Sequence, residues 1–307
     1  MAVEAAKPKL ADAAGANSIA GTRDPAHLKI RDLVYRISGI YHSEQKMYLL
    51  VSSCSRRMSE CGIATPSEYL DRLTTGANRD AELKQLLNEI TIGETYMFRH
   101  PAQLDALSTV ILPQIMKNKT ALGLKRLRFW SAGCSTGEEP YTLAIFLNEE
   151  KQLAGWNFEI LATDLNTRSL EASKAGIYGE YALRNIAEPL RRKYFKEASN
   201  NKLEVNDLLR SRVRFDRVNL SDDSKMVFLK GIDVIFCCNV LIYFDLASKK
   251  RVVQHFFTNL LPGGYFFLGH AESLYQVDDT FRLVHFPGTT AYWKAPPGAA
   301  AAGGGKA

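Results

Sequence analysis

Two neighbouring carboxylates, Glu138 and Glu139, follow the turn Gly133-Cys-Ser-Thr-Gly137 and open a run that reads as a helix as far as Glu150. Pro140 falls in the first turn of that helix, where the N–H it lacks has no intrahelical partner anyway. The apolar run Leu127 to Ala132 just before the turn reads as a strand. Strand, glycine turn and helix form the opening unit of a nucleotide-type binding sheet, because glycines let a ligand approach the backbone closely. Two carboxylates at the helix start would repel a pyrophosphate. They suit a ligand that carries an amino group and a sulfonium, which points to S-adenosylmethionine. The Gly-x-x-x-Gly spacing alone is a weak signature, so the other strand ends matter more.

In a parallel sheet the ligand lies beyond the carboxyl ends of the strands. The second apolar run closes on Ala162-Thr-Asp164. A carboxylate there can accept both hydroxyls of a ribose, or it can cap the helix that follows. Asn219, at the end of the third run, offers an amide that donates and accepts, as an adenine edge requires; it equally suits a turn. The fourth run, Ile232 to Cys237, leads to Asn239 and Tyr243 and puts polar groups where a reacting methyl would sit. An aromatic at a strand end is otherwise a core residue.

These residues need a frame. The spacing predicts strand 127–132, helix 138–150, strand Phe158 to Thr163, helix Thr167 to Lys174 and strands Val213 to Val218 and Ile232 to Cys237. Helix Leu246 to Leu261, strand Gly264 to Gly269 and two short strands, Arg282 to Phe286 and Thr290 to Lys294, complete it. Such alternation means a mainly parallel sheet covered on both faces, an α/β domain over residues 127–294. Ahead of it, Ile30, Leu33, Val34 and Ile37 recur at helical spacing, as do Met47, Leu50, Val51, Cys54 and Met58. With helical pieces near Ser67 to Leu73 and Asp80 to Glu89, they predict an all-helical domain over 27–92. A linking helix, Ala102 to Lys117, falls in the connecting stretch 93–126. Residues 1–26 and 295–307, rich in Ala, Gly and Pro, predict disordered tails.

The composition, 46% hydrophobic and 23% charged, is that of an ordinary soluble globular protein. No apolar stretch approaches a membrane span, and the start, Met1-Ala-Val-Glu, lacks the layout of a signal peptide. Five cysteines, an odd number without metal-ligand spacing, predict reduced thiols, a cytoplasmic setting and no metal. The net charge of +6 suits an acidic protein partner or merely a solvated surface, and gives no reason to expect nucleic acid.

Six blocks carry a family resemblance. Gly93-Glu-Thr-Tyr-Met-Phe-Arg99, Ser131-Ala-Gly-Cys-Ser-Thr-Gly-Glu-Glu-Pro-Tyr141, Ala162-Thr-Asp-Leu165, Val218-Asn-Leu220, Phe236-Cys-Cys-Asn-Val-Leu-Ile-Tyr-Phe-Asp245 and Gly269-His-Ala-Glu272 resemble the bacterial chemotaxis receptor methyltransferases, CheR type. Order and spacing agree from about residue 27 to 294. The resemblance implies a Rossmann-like, class I S-adenosylmethionine-dependent methyltransferase domain after an all-helical N-terminal domain. It also implies a small antiparallel β-subdomain inserted at about 194–212. The implied reaction forms methyl esters on receptor glutamates and leaves S-adenosylhomocysteine. The implied partner is the cytoplasmic helices of a methyl-accepting receptor, met by a monomer that does not itself insert in the membrane.

Carried over to this sequence, the resemblance gives Arg99 and Tyr243 catalytic positions. It gives a cofactor pocket of Thr95, Arg99, Gly133, Glu139, Asp164, Asn219, Leu220, Asn239 and Val240. Glu139 would hold the methionine portion, Asp164 the ribose and Asn219 the adenine, with Asn239 and Tyr243 bordering the methyl. There are three departures. Gly93 stands where enteric members have Asn, and Cys238 where they have Arg. The segment Lys196-Glu-Ala-Ser-Asn-Asn-Lys-Leu-Glu204 lacks the glycines of the loop that captures a receptor's C-terminal pentapeptide, so a pentapeptide-independent enzyme is expected.

The chemistry stands without the family. A methyl on a sulfonium is already electrophilic, and a carboxylate at neutral pH is already deprotonated. No general base is required, so His100 and His270 are read as structural. Alignment and exclusion of water are what the protein must supply, and Arg99 can hold the incoming carboxylate. Residues 27–60 carry six Lys or Arg against three Asp or Glu, a weak preference for an acidic partner. Two other readings stay open: a non-catalytic adapter that keeps the fold, and a methyltransferase with another protein or a small molecule as substrate.

Overall fold

The structure, a computed structural model, describes residues 24–91, 93–226 and 229–298, so the expected tails lie largely outside the described residues. The chain divides into two units: residues up to Ile37 with Tyr41–Ile90, and Ser38–Ile40 with everything from Thr91 onward.

The first unit is helical: Pro25–Ser38, Met47–Cys61, Pro66–Thr74 and Arg79–Ile90. Its first helix begins inside the stretch expected to be tail. Asp24 Oδ1 accepts the Ala26 N–H at 2.7 Å and Pro25 fills the first turn, a start signal that the Ala-rich composition hides. The third helix opens with a capping box, Thr65 and Glu68 each accepting the other's backbone N–H.

Charge sits among the buried apolar faces of this unit. Arg57, 6% exposed, makes a fork to Glu82, 4% exposed, through Nε at 2.9 Å and Nη2 at 2.8 Å. Tyr69 donates its hydroxyl to Glu82 Oε1 at 2.9 Å, and the Cys61 thiol lies 3.2 Å from Oε2. Burial pushes the Glu82 carboxyl up, but the bonds from Arg57, Cys61 and Tyr69 outweigh it and leave it below its ordinary value. A carboxyl lowered by folding contributes stability above its unfolded pKa, and that stability is lost as pH falls through the folded value. Glu82→Gln therefore costs about 3 kcal/mol at neutral pH, because it leaves the buried guanidinium with Glu60 as its one remaining carboxylate partner. In urea titrations of the two proteins, that gap narrows as the pH is brought below the ordinary carboxylate range.

The second unit opens with helix Pro101–Ala106, which widens into a π-helical turn, Leu107–Ile111, before Leu112–Ala121. The wide turn precedes Pro113, whose ring would otherwise crowd the carbonyl one turn back. Among the described residues ten strands follow: β1 Arg126–Ala132, β2 Asn157–Asp164, β3 Ile177–Tyr178, β4 Phe195–Ala198, β5 Lys202–Val205, β6 Val213–Arg217, β7 Ile232–Cys237, β8 Leu260–Leu268, β9 Arg282–Phe286 and β10 Thr289–Trp293. Seven form one sheet in the order β6-β2-β1-β7-β8-β10-β9, parallel from β6 to β8, with β10 antiparallel to both neighbours. The order reverses between β1 and β7, the place where such sheets leave a crevice. Alternate side chains serve opposite faces: Phe129 packs in one core with Leu143 and Ile160, Trp130 in the other with Val252 and Phe256.

Other boundaries also differ from the sequence reading. The helix expected to reach Leu261 ends at Asn259, and β8 begins at Leu260 instead of Gly264, running through Pro262-Gly263-Gly264 with a register shift against β7 between Ile232 and Val234. The small antiparallel sheet, ordered β3-β5-β4, reaches back to Ile177, well before the expected 194, and residues Asp207–Arg212 are a helix. A strand as short as β3 carries no periodicity by which sequence could reveal it. The β4–β5 hairpin turns through Ser199, Asn200 and Asn201, with φ of 59° and 55° at the two asparagines, a conformation that Asn tolerates.

Candidate functional site

Register decides where the site lies. Ala132 pairs with Thr163, Asp164 with Arg217, and Cys237 with Leu268, so the chain leaves β1, β2, β6 and β7 at one edge of the sheet. A cavity of about 320 Å³ opens there, within the size range of small-ligand sites. Thr95, Arg99, Gly133, Glu139, Asp164, Asn219, Leu220, Asn239, Val240 and Tyr243 all line it.

Asp164 joins two of the loops. Its Oδ2 accepts the Ser135 N–H and its Oδ1 the Asn166 N–H, both at 2.8 Å. The next helix is capped by Asn166, which accepts the Ser169 N–H at 3.0 Å, so the cap reading of Asp164 gives way. Burial pushes the Asp164 carboxyl up, against the amides of Asn166, Ser135 and Leu165.

The glycine turn divides its work. Gly133 (φ +81°) lines the cavity, and a Cβ there would lie 2.4 Å from Val240 Cγ2. Gly137 (φ +95°) is buried away from the cavity; a Cβ there would meet Ser173 Cβ at 2.6 Å and the Tyr178 hydroxyl at 2.8 Å. The second glycine therefore serves packing of helix on sheet and not approach of a ligand. The paired carboxylates divide likewise. Glu138 is buried off the cavity and accepts from Thr136 Oγ1 at 2.7 Å. Glu139 faces the cavity and accepts from Ser131 Oγ at 2.6 Å. Burial pushes Glu139 up, opposed by the bonds from Ser131 and Cys238 and by the Arg99 charge.

Arg99 follows a residue held against its preference: Phe98 has φ 54°. The segment is fastened by Met97 N–H to Ala182 O at 2.9 Å and Phe98 N–H to Thr142 Oγ1 at 3.0 Å. Arg99 itself donates to Glu94 O at 2.7 Å and lies 5.6 Å from the centre of the Tyr96 ring. Asn239 has φ 63°, and its Oδ1 is buried without a partner. Asn219 Oδ1 accepts the Ser221 N–H at 3.1 Å, fixing its amide plane. Burial, with the Asp164 and Glu272 charges, pushes the Tyr243 phenol up, so it is neutral at physiological pH. His100, also in the wall, is lowered to about 4 by burial, Arg99 and His270, which leaves it uncharged.

Sequence reasoning passed over Gln103. Buried in the wall, it donates Nε2 to Leu268 O at 2.7 Å, and its Oε1 lies 3.6 Å from Cys238 Sγ. A single Gln on an amphipathic helix gives no signal. Cys238 is thus a neutral thiol between Gln103 and Glu139. At Gly93, a Cβ would come 3.1 Å from Ser135 Oγ, so any side chain there would need Ser135 to shift.

Residues 93–289 match the family described as CheR methyltransferase, SAM binding domain, and residues 28–91 match its all-alpha domain. The chain belongs to the CheR methyltransferase family. It is 33% identical over 276 residues to chemotaxis protein methyltransferase 2 of Vibrio cholerae, covering 90% of this chain and 94% of that one. It is 34% identical to the chemotaxis protein methyltransferase of Borreliella burgdorferi, over 79% of this chain and 86% of that one. It is 35% identical to chemotaxis protein methyltransferase 1 of Pseudomonas aeruginosa, over 83% and 92%. The fold is accordingly the Rossmann-like, class I methyltransferase sheet behind an all-helical domain, and S-adenosylmethionine is the cofactor of this CheR protein. The cavity fits it: two carboxylates, an orphaned amide oxygen and apolar Leu220 and Val240 suit an ammonium, a ribose and an adenine.

The separate duties of the glycines are testable. Gly137→Ala costs about 2–4 kcal/mol, from a left-handed residue plus two clashes. Gly123→Ala, with φ +71° and nothing within 4 Å, costs only the backbone part, about 1–2 kcal/mol. Guanidinium unfolding midpoints of the two variants give the comparison.

Proposed function

We propose that this CheR-family protein methylates glutamate side chains on the cytoplasmic helices of chemoreceptors, forming methyl esters, without a tether to a receptor C-terminal pentapeptide. The observation that carries this reading is Arg99. Among the described residues it is the one Lys or Arg in the cavity lining, in a wall that otherwise offers the carboxylates Glu94, Glu139 and Asp164. A carboxylate substrate needs that cation, and the cofactor needs those acids.

In this reading Glu139 holds the amino group of the methionine portion, Asp164 the ribose hydroxyls, and Asn219 and Leu220 the adenine. Gly133 and Val240 shape the floor, and Thr95 completes the pocket beside Arg99. When bound, S-adenosylmethionine supplies an electrophilic methyl. Arg99 orients the incoming carboxylate, which is ionised without help at neutral pH. Asn239 and Tyr243 flank the transfer line, Tyr243 as a neutral phenol that excludes water. His100, uncharged and half-buried, is not needed as a base, because the substrate carboxylate is already ionised. Two further points support the reading. The relatives are named chemotaxis protein methyltransferases. The β4–β5 turn is a short Ser199-Asn200-Asn201 hairpin in place of a glycine loop. Among the described residues, no helix is long and apolar enough to cross a membrane. All proposed site residues come from one chain, so a monomer suffices.

Incubation with tritiated S-adenosylmethionine and a receptor cytoplasmic fragment should yield label that alkali releases as methanol. Truncating the receptor's last residues should leave the rate unchanged, and Arg99→Ala should lower it by about 10²-fold. Alkali-stable label would move the substrate away from carboxylates. Cofactor binding without any transfer would favour the adapter reading.

A further inference from the structure

The block Gly269-His-Ala-Glu272 contributes nothing to the cavity lining, yet it grips the loop that does. Glu272 Oε2 accepts the Asn239 N–H at 2.6 Å and the Gly269 N–H at 2.9 Å, and Oε1 accepts the Ile242 N–H at 3.2 Å. The Glu272 N–H returns to Gly269 O at 2.9 Å, closing the block into a turn. One carboxylate thus satisfies donors at both ends of the stretch Asn239 to Ile242, where the chain leaves β7 and enters the 3₁₀ turn Leu241–Tyr243. Charge-assisted bonds of this kind are about twice as strong as neutral ones.

Gly269 belongs to the same device. A Cβ there would lie 2.2 Å from Asn239 Oδ1, 2.8 Å from Glu272 Oε2 and 2.9 Å from Asn239 N. Any side chain would drive the loop off the carboxylate. What the grip fixes is Asn239 in its left-handed conformation, φ 63°, with a buried, unpartnered Oδ1, and Tyr243 one residue beyond Ile242. Both line the cavity.

We propose that Glu272 is a positioning residue for methyl transfer: its carboxylate sets the backbone of Asn239 and Ile242 and so aims Asn239 and Tyr243 into the cavity, in the space that Gly269 leaves. This rests on the methyltransferase reading above. The Glu272 charge also acts on Tyr243, adding to burial and Asp164 in keeping the phenol protonated.

The test uses the full chain and the isosteric Glu272→Gln, whose amide turns a donor toward one of the N–H groups. Amide hydrogen exchange at Asn239 and Ile242 should accelerate by about tenfold or more while the β7 amides keep their protection. The turnover number should fall by about 10- to 100-fold with the receptor KM within about twofold, the signature of a lost transition-state alignment. Gly269→Ala should reproduce the pattern by pushing Asn239. Wild-type turnover in Glu272→Gln would overturn the proposal. So would faster exchange spread evenly over the sheet with a matching drop in thermal midpoint, which marks an ordinary stabilising contact. If the wild type transfers no methyl, the function falls, and local exchange together with S-adenosylhomocysteine affinity still decides whether Glu272 shapes the cavity.

Discussion

Asp164 sits where two loops must meet, and its bonds to the Ser135 and Asn166 amides hold them there. Asp164 lines the cavity itself, and the Ser135 loop leads into the helix that carries Glu139, so the site's geometry depends on this carboxylate before any ligand arrives. The register of β1 on β2 brings Asp164 to that point, with Ala132 opposite Thr163 and the Gly133 and Cys134 amides donating to Thr163 O. A one-residue slip would turn Asp164 to the other face. Burial pushes this carboxyl up, and its amide bonds offset only part of that push.

The same logic recurs on the other side of the reversal point. There Glu272 does for the loop after β7 what Asp164 does for the loop after β1: a side-chain carboxylate stands in for missing strand partners. The two differ in exposure to the cavity. Asp164 lines it and Glu272 stands behind it, so one can serve both architecture and ligand while the other serves architecture alone. Arg99 balances this acidity from a separate segment, held by a left-handed Phe98 and by bonds to Ala182 and Thr142. The cavity is thus assembled from loop segments, each pinned by a specific polar contact.

Much of this is legible in the sequence because parallel strands with level carboxyl ends bring their next residues together. Reading the strand ends was enough to bring Asp164, Asn219 and Asn239 to one place, and the six blocks added Thr95 and Arg99. What stayed hidden depends on contacts between distant segments. Gly137 looks like Gly133 until Ser173 and Tyr178 are seen against it. Glu138 and Glu139 are neighbours in sequence, yet a helix turns successive residues about 100° apart, and one faces away. The strand Ile177–Tyr178 exists through β5, which it pairs, and has no pattern of its own. Asn166, not Asp164, caps its helix, a distinction that needs coordinates because both types cap well.

The most direct test of this account is a calorimetric titration of S-adenosylhomocysteine into the wild type and into Asp164→Ala. Micromolar binding to the wild type is predicted, weakened in the variant by about 10²-fold, the worth of hydrogen bonds to a charged group. Equal affinity in the two folded proteins, or no binding to a folded wild type, would contradict the claim that this strand-end carboxylate anchors the cofactor.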